Sequence, residues 1–357
     1  MKINYLKSLK YFLLMLASFT ILSACRDDDN EGGMAGALPA VDYVAPAVDA
    51  DGNPSDLTPT SVGFANNTYI IKGSNLASVQ HIYFNDYETA FNTNLVTNTH
   101  IIVTVNENTP YADVSNKLKI VTGFGTVEYD FTIAPPAPVL KGFHSINAAD
   151  GETIVIKGNY FVDPVVNVGD LPATVISNTL TEITATLPAG SQGKKVSVTT
   201  LSGTATYQSQ IGTSIYDDVF YGAVTNSTWS GDVYDIAYDA DEANIKQGSK
   251  AIKWQAKAYS GFQIDNSPEI PATAKGIRFY AKAKNATDPN SMKLVLNYSW
   301  NTTPTITITD TYQYFEIPFA SSAGFGLSST PSTMNLTFNN ASGEENDIYL
   351  DDIGYYY

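Results

Sequence analysis

One block of this chain is written twice. Tyr69-Ile70-Ile71-Lys72-Gly73-Ser74-Asn75-Leu76 returns as Ile154-Val155-Ile156-Lys157-Gly158-Asn159-Tyr160-Phe161, with Gly73 and Gly158 85 residues apart. Each copy continues alike. His81-Ile82-Tyr83-Phe84 matches Val165-Val166-Asn167-Val168, and a Thr-rich segment at 99–105 matches 182–188. Lys117-Leu118-Lys119-Ile120-Val121-Thr122 then matches Lys195-Val196-Ser197-Val198-Thr199-Thr200. Polar and apolar residues alternate, which puts one face of each segment in a core and the other in water. Turn residues recur roughly every eight to twelve positions, the pattern of an antiparallel β-sandwich. Two copies predict two such sandwiches, joined by the stiff Pro135-Pro136-Ala137-Pro138.

These residues resemble the IPT/TIG family of immunoglobulin-like domains, whose pattern is an apolar strand, Gly-x-x-Phe and a Val-x-Phe-Gly hairpin. The second copy fits through Gly158-Asn159-Tyr160-Phe161 and Val166-Asn167-Val168-Gly169. The first departs, with Leu76 for the Phe and Asn85-Asp86 at the hairpin. The resemblance implies Ig-like domains over 56–134 and 138–211.

From residue 212 the vocabulary changes. All three Trp lie here (Trp229, Trp254 and Trp300) among strand-like runs such as 276–283, 292–296 and 314–319. The expected fold for 212–357 is a jelly-roll sandwich, making the chain all-β throughout: two Ig-like sandwiches followed by a jelly roll. Ile215-Tyr216-Asp217-Asp218, the Gly248–Trp254 and Ala258–Phe262 stretches, and Tyr349-Leu350-Asp351-Asp352-Ile353 resemble jelly-roll carbohydrate-binding modules in order and spacing.

Sugar binding needs aromatic faces to stack on C–H patches and polar groups to fix orientation. Trp229, in Asn226-Ser227-Thr228-Trp229-Ser230-Gly231, and Trp300, entering Asn301-Thr302-Thr303-Pro304, occupy loop-like surroundings that suit no core. Tyr298 shares the parity of Trp300, and Tyr259 precedes Ser260-Gly261. Trp254 shares parity with Ile252, so packing and binding both remain open; Tyr234 and Tyr238, four apart in an acidic strand, either line the same cleft or are surface tyrosines. The resemblance also implies one structural calcium ion held by Asp218 and Asp352, with Asp217 and Asp351 beside them. Solvated strand-edge acids are the alternative.

Lys2, Lys7 and Lys10 precede an apolar run from Tyr11 to Leu22, too short to span a bilayer as a helix. Leu22-Ser23-Ala24-Cys25 resembles a bacterial lipobox, which implies cleavage after residue 24 and acylation of Cys25, the only cysteine in the chain. The alternative is an ordinary signal peptide with an incidental cysteine. The acidic Asp27-Asp28-Asp29 run opens a tether assigned to 25–55. It resembles the signal that sends Bacteroidetes lipoproteins to the outward face of the outer membrane. Without the leader, 17 basic residues face 36 acidic ones, a net −19. Such a surface repels nucleic acid and suits a neutral ligand or a cation.

Enzyme chemistry finds little support. His81, His100 and His144 all lie in the repeats, away from any Gly-x-Ser-x-Gly elbow, and no Glu-x-Asp-x-x-Glu run is present. The layout resembles the surface glycan-binding lipoproteins of Bacteroidetes polysaccharide-utilisation systems. That implies a non-catalytic role, a polysaccharide ligand (a β-glucan such as laminarin by resemblance alone), a TonB-dependent transporter and a companion glycan-binding lipoprotein. The rival is an adhesin or structural surface protein with no glycan site.

Overall fold

The computed structural model describes residues 36–49, 51–285 and 291–357. The leader, Cys25 and the acidic run lie outside these residues. The chain divides into two compact units, Met1–Pro136 and Ala137–Tyr357.

The first unit holds the first Ig-like sandwich. Ala40–Pro46, Thr68–Ser74 and His100–Thr104 form one sheet; Tyr87–Glu88, Val79–Phe84, Lys117–Thr122 and Gly125–Asp130 form the other. Tyr69, Ile71, Ile82, Phe84, Ile101, Leu118, Ile120 and Phe131 fill the space between them. The domain therefore starts earlier than expected. Residues 40–46, assigned to the tether, form its first strand, paired antiparallel with 69–74. The repeated glycines explain the pairing. A Cβ on Gly73 would lie 2.0 Å from the carbonyl oxygen of Ala40, and one on Gly158 would lie 2.0 Å from that of Val139. Each glycine admits the bulged strand that precedes its repeat. The first copy's departures are also accommodated. Leu76 is as fully buried as Phe161, and Asn85 and Asp86 supply the two positive φ angles (52° and 63°) of a tight hairpin.

The second unit holds two sandwiches. The second Ig-like domain pairs Val139–His144, Thr153–Asn159, Glu182–Thr186 and Thr174–Asn178 in one sheet. The other contains Leu171–Pro172, Val165–Val168, Lys195–Thr200 and Gly203–Gln210. The C-terminal sandwich packs a seven-stranded sheet on a five-stranded one. Beyond Ala251–Ala256 its strands alternate between sheets, with one hairpin inserted: Gly261–Asp265 lies opposite, Gly276–Ala283 returns, Ser291–Leu296 crosses again and pairs with Thr305–Thr307 before Gln313–Pro318 returns. Ile252, Trp254, Phe262, Ile264, Phe279, Leu294, Leu336, Phe338, Ile348 and Leu350 make the core.

The outer face of the seven-stranded sheet packs on the second Ig-like domain. Tyr280, facing out between Phe279 and Ala281, joins the core of that domain and stacks with Tyr207 at 6.4 Å. Polar bonds complete the joint. Gln247 accepts the Phe143 N–H at 2.8 Å, Asp217 accepts that of Ile146 at 2.9 Å, and Asn147 exchanges bonds with the backbone of Ser214 at 2.9 Å. The two sandwiches form one compact body.

Candidate functional site

The opposite outer face, on the five-stranded sheet, carries the aromatic residues. Phe262 and Ile264 point into the core, so Gly261, Gln263 and Asp265 line the outside of Gly261–Asp265. On the edge strand Thr225–Thr228, the exposed Thr225 and Ser227 pair with Asp265 and Gln263. Trp229 follows that edge strand, donates its N–H to the carbonyl of Gly261 at 3.0 Å, and lays its ring against Gly261. A Cβ there would meet the ring at 3.0 Å and Thr337 at 3.1 Å.

Tyr298 and Trp300 arrive from the other side. Leu296 and Ser299 close a two-residue hairpin whose central residues, Asn297 and Tyr298, both have positive φ (49° and 60°). That twist suits a strand connection. For tyrosine it costs on the order of 1–3 kcal/mol, the kind of strain that gathers at ligand sites. Trp300 then meets Trp229 with ring centroids 5.7 Å apart and planes tilted 44°. The Tyr298 hydroxyl donates to Asp265 Oδ1 at 2.8 Å, which pushes the phenol pKa up. Gln263 Nε2 donates to both Asp265 oxygens at 3.1 Å, and Gln263 Oε1 accepts from Trp229 Nε1 at 3.1 Å. One hydrogen-bonded chain, Trp229–Gln263–Asp265–Tyr298, thus fixes the Trp229 and Tyr298 rings. Tyr298 and Trp300 nonetheless stay 55% and 50% exposed.

Tyr259 is 69% exposed and also has positive φ (58°). It stands at the end of the same strand with its hydroxyl over Gly343. Trp254 is not a binding residue: it is fully buried, packs on Phe262 and donates Nε1 to Asp232 at 2.8 Å. An indole closed off from solvent offers no face to a sugar. Asp232 also takes the Ser260 hydroxyl, so Trp254 braces the loop that carries Trp229. Tyr234 packs edge-on against Phe262, and Tyr238 lies beside Tyr349 on the other sheet; neither reaches the rings. Sequence reasoning missed Gln263 and Asp265. Their only signal was parity with Gly261, which also describes a solvated strand face.

The carboxylates expected to hold calcium do not fit it. Asp218 accepts from the Ser249 and Lys250 amides at 2.8 and 2.7 Å, from the Ser249 hydroxyl at 3.0 Å, and faces His144 Nδ1 at 3.1 Å. Burial pushes its pKa up, but these donors outweigh it and the net shift is downward. Asp352 faces the Arg278 guanidinium at 2.5 Å, both fully buried, and accepts the Ser209 hydroxyl. Asp351 accepts the amides of Lys246 and Gln247. A cation needs acceptors turned toward it, and these oxygens are turned toward donors and a guanidinium. Among the described residues no group of three His, Cys, Asp or Glu could hold a metal ion.

Comparison with known proteins follows this architecture. Residues 138–216 match the IPT/TIG domain model and residues 215–357 match the expansin-like protein C-terminal domain model. An IPT/TIG domain-containing protein of Bacteroides ovatus is 26% identical over 199 residues, 49% of this chain and 38% of that protein. The chain therefore spans well under half the length of that curated relative. Among solved structures, the surface glycan-binding protein PbSGBP-B from Prevotella bryantii is 18% identical, with 90% of this chain and 99% of that chain covered and a TM-score of 0.48. SGBP-B from a complex xyloglucan utilization locus in Bacteroides uniformis is 15% identical, with the same coverage and a TM-score of 0.36. The second unit is thus similar to an IPT/TIG domain followed by the C-terminal domain of an expansin-like protein.

Proposed function

We propose that this chain is a non-catalytic, lipid-anchored surface protein that captures polysaccharide through the C-terminal sandwich. The observation that carries the reading is the ring set on an outer sheet face: Tyr298 and Trp300 are half exposed, Trp229 is partly buried beneath Trp300, and Gln263 and Asp265 hold Trp229 and Tyr298 in place. Large rings kept in water at a strained turn are costly to a structural domain and useful to a ligand site. The names of the two surface glycan-binding proteins above agree with it. Cys25 supplies the anchor in this reading, and the acidic tether directs the protein to the outward face of the outer membrane. A TonB-dependent transporter and a companion lipoprotein would receive the glycan. A β-glucan such as laminarin is the first candidate ligand.

Affinity electrophoresis of the purified chain against laminarin, xyloglucan, mannan and xylan tests the function. Retardation by at least one glycan, lost in Trp229→Ala and Trp300→Ala, is expected. No retardation by any soluble glycan would leave the adhesin reading. Retardation that survives both substitutions would move the site elsewhere. Radiolabelled palmitate incorporated by the wild type and not by Cys25→Ser tests the anchor.

A further inference from the structure

The ring wall carries one feature that stacking does not need: a carboxylate with no ion-pair partner among the described residues. Asp265 is bonded by the neutral groups Tyr298 Oη and Gln263 Nε2, and none of the ion pairs among the described residues includes it. Its negative charge therefore remains at the Tyr298 end of the face. The groups alongside, Thr225, Ser227 and Gln263, are uncharged. A cation does share the outer face. Lys293 pairs with Asn339, which pairs in turn with Gly261. It stands two strands from the Asp265 strand and forms no ion pair with it.

We propose that Asp265 is a specificity-determining residue, and that it restricts the ligand to a glycan uncharged where it meets Tyr298 and Trp300. This rests on the glycan-binding reading above and names its substrate class. A carboxylate accepts hydrogen bonds and donates none. A sugar hydroxyl can donate to the Oδ2 lone pair that Tyr298 and Gln263 leave free. A uronate, sulfate or phosphate at that position offers no proton and brings a second negative charge. At about 4 Å in water that repulsion is worth roughly five-fold in affinity, and it fades as salt shortens the screening length.

The test uses the purified chain with laminarin, xyloglucan and hydroxyethylcellulose, each against its carboxymethylated counterpart, by affinity electrophoresis at low and high salt. The wild type is expected to prefer each neutral polymer it binds. Asp265→Asn is expected to reduce the neutral-to-carboxymethylated ratio about five-fold at low salt, with wild type and variant converging at high salt. Tyr298→Phe keeps the charge and removes the bond to it, so both polymers should weaken together at an unchanged ratio. An Asp265→Asn ratio equal to the wild type's overturns the proposal while leaving glycan binding intact. So does a Tyr298→Phe ratio that falls as far as that of Asp265→Asn, because positioning alone would then account for the preference. Retardation of the wild type by none of the neutral polymers removes the glycan-binding reading and this proposal with it.

Discussion

Arg278→Met should cost the second unit several kcal/mol. The guanidinium is fully buried on the outer face of the seven-stranded sheet. It donates to the backbone oxygen of Asp352 at 2.8 Å, to Asp352 Oδ1 at 2.5 Å and to Thr213 Oγ1 at 2.9 Å. Asp352 reaches Ser209 of the preceding domain through its other oxygen. One cation therefore ties the last strand to the second Ig-like domain. Methionine fills much of the arm's volume, so the cavity term is small. What remains is Asp352 without its partner and fully buried, and breaking such a pair costs about 3–5 kcal/mol. In a unit of about 220 residues each kcal/mol shifts Tm by about 2–4 °C, which predicts a fall of about 6–20 °C. Calorimetry of the whole chain reads this, with the first unit's transition as internal reference. Arg278→Met with Asp352→Leu removes the stranded charge and should restore most of the loss. Millimolar calcium should rescue nothing, and chelator should leave the wild type unmoved. A small Arg278→Met shift refutes the reasoning, and calcium rescue of that variant would return the carboxylates to a metal.

Three further outcomes follow from the packing. Burial and then the Asp352 charge push the Asp217 carboxyl up to about 7, above its unfolded value near ~4. The native state then binds the extra proton, so the second transition should lose stability as pH rises from about 4 through about 7. Asp217→Asn should flatten that slope, and a slope it leaves unchanged assigns the effect elsewhere. Trp300→Ala should weaken glycan retention more than about ten-fold with little change in Tm, whereas Trp254→Phe should lower Tm by a few degrees through its lost bond to Asp232. The same two measurements reversing roles would show the wrong tryptophan was placed in the core. A chain beginning at residue 56 should lose the first transition, which a chain beginning at residue 37 keeps, because Ala40–Pro46 closes the first sheet.

What the sequence showed depended on how much of each signal is local. Period-two alternation around Gly73 and Gly158 is local, and both sandwiches follow from it. The strand 40–46 is hidden in Ala-Val-Asp-Tyr-Val-Ala-Pro, where only Val44 and Ala45 are buried; its partner's glycine announces it only after the pairing is known. That Trp229 and Trp300 stay out of the core was readable because hydroxyl- and glycine-rich loops seldom bury an indole completely. Trp254 was ambiguous because parity assigns a face and leaves open which face is inside. The acids at 217–218 and 351–352 were visible too, but Arg278 sits in Gly276–Ala283, a run that reads as plain strand, and its pairing with the last strand is long-range. Sequence shows the carboxylates and conceals what they face.

The two outer faces of the C-terminal sandwich differ in what already covers them. Tyr280 and Arg278 point outward from the seven-stranded sheet, and the second Ig-like domain covers them with Tyr207 and Ser209. Rings on that face complete a domain joint. Trp229, Tyr298 and Trp300 stand on the five-stranded sheet, where Gln263 and Asp265 hold Trp229 and Tyr298, Trp300 packs on Trp229, and solvent still reaches Tyr298 and Trp300. Both faces are rich in aromatics and both contain carboxylates, so composition cannot rank them. The difference is the partner of the carboxylate: Asp352 has a buried guanidinium, and Asp265 has neutral donors only. A charge neutralised within the fold serves stability, whereas one left at the surface beside exposed rings is free to act on whatever binds there.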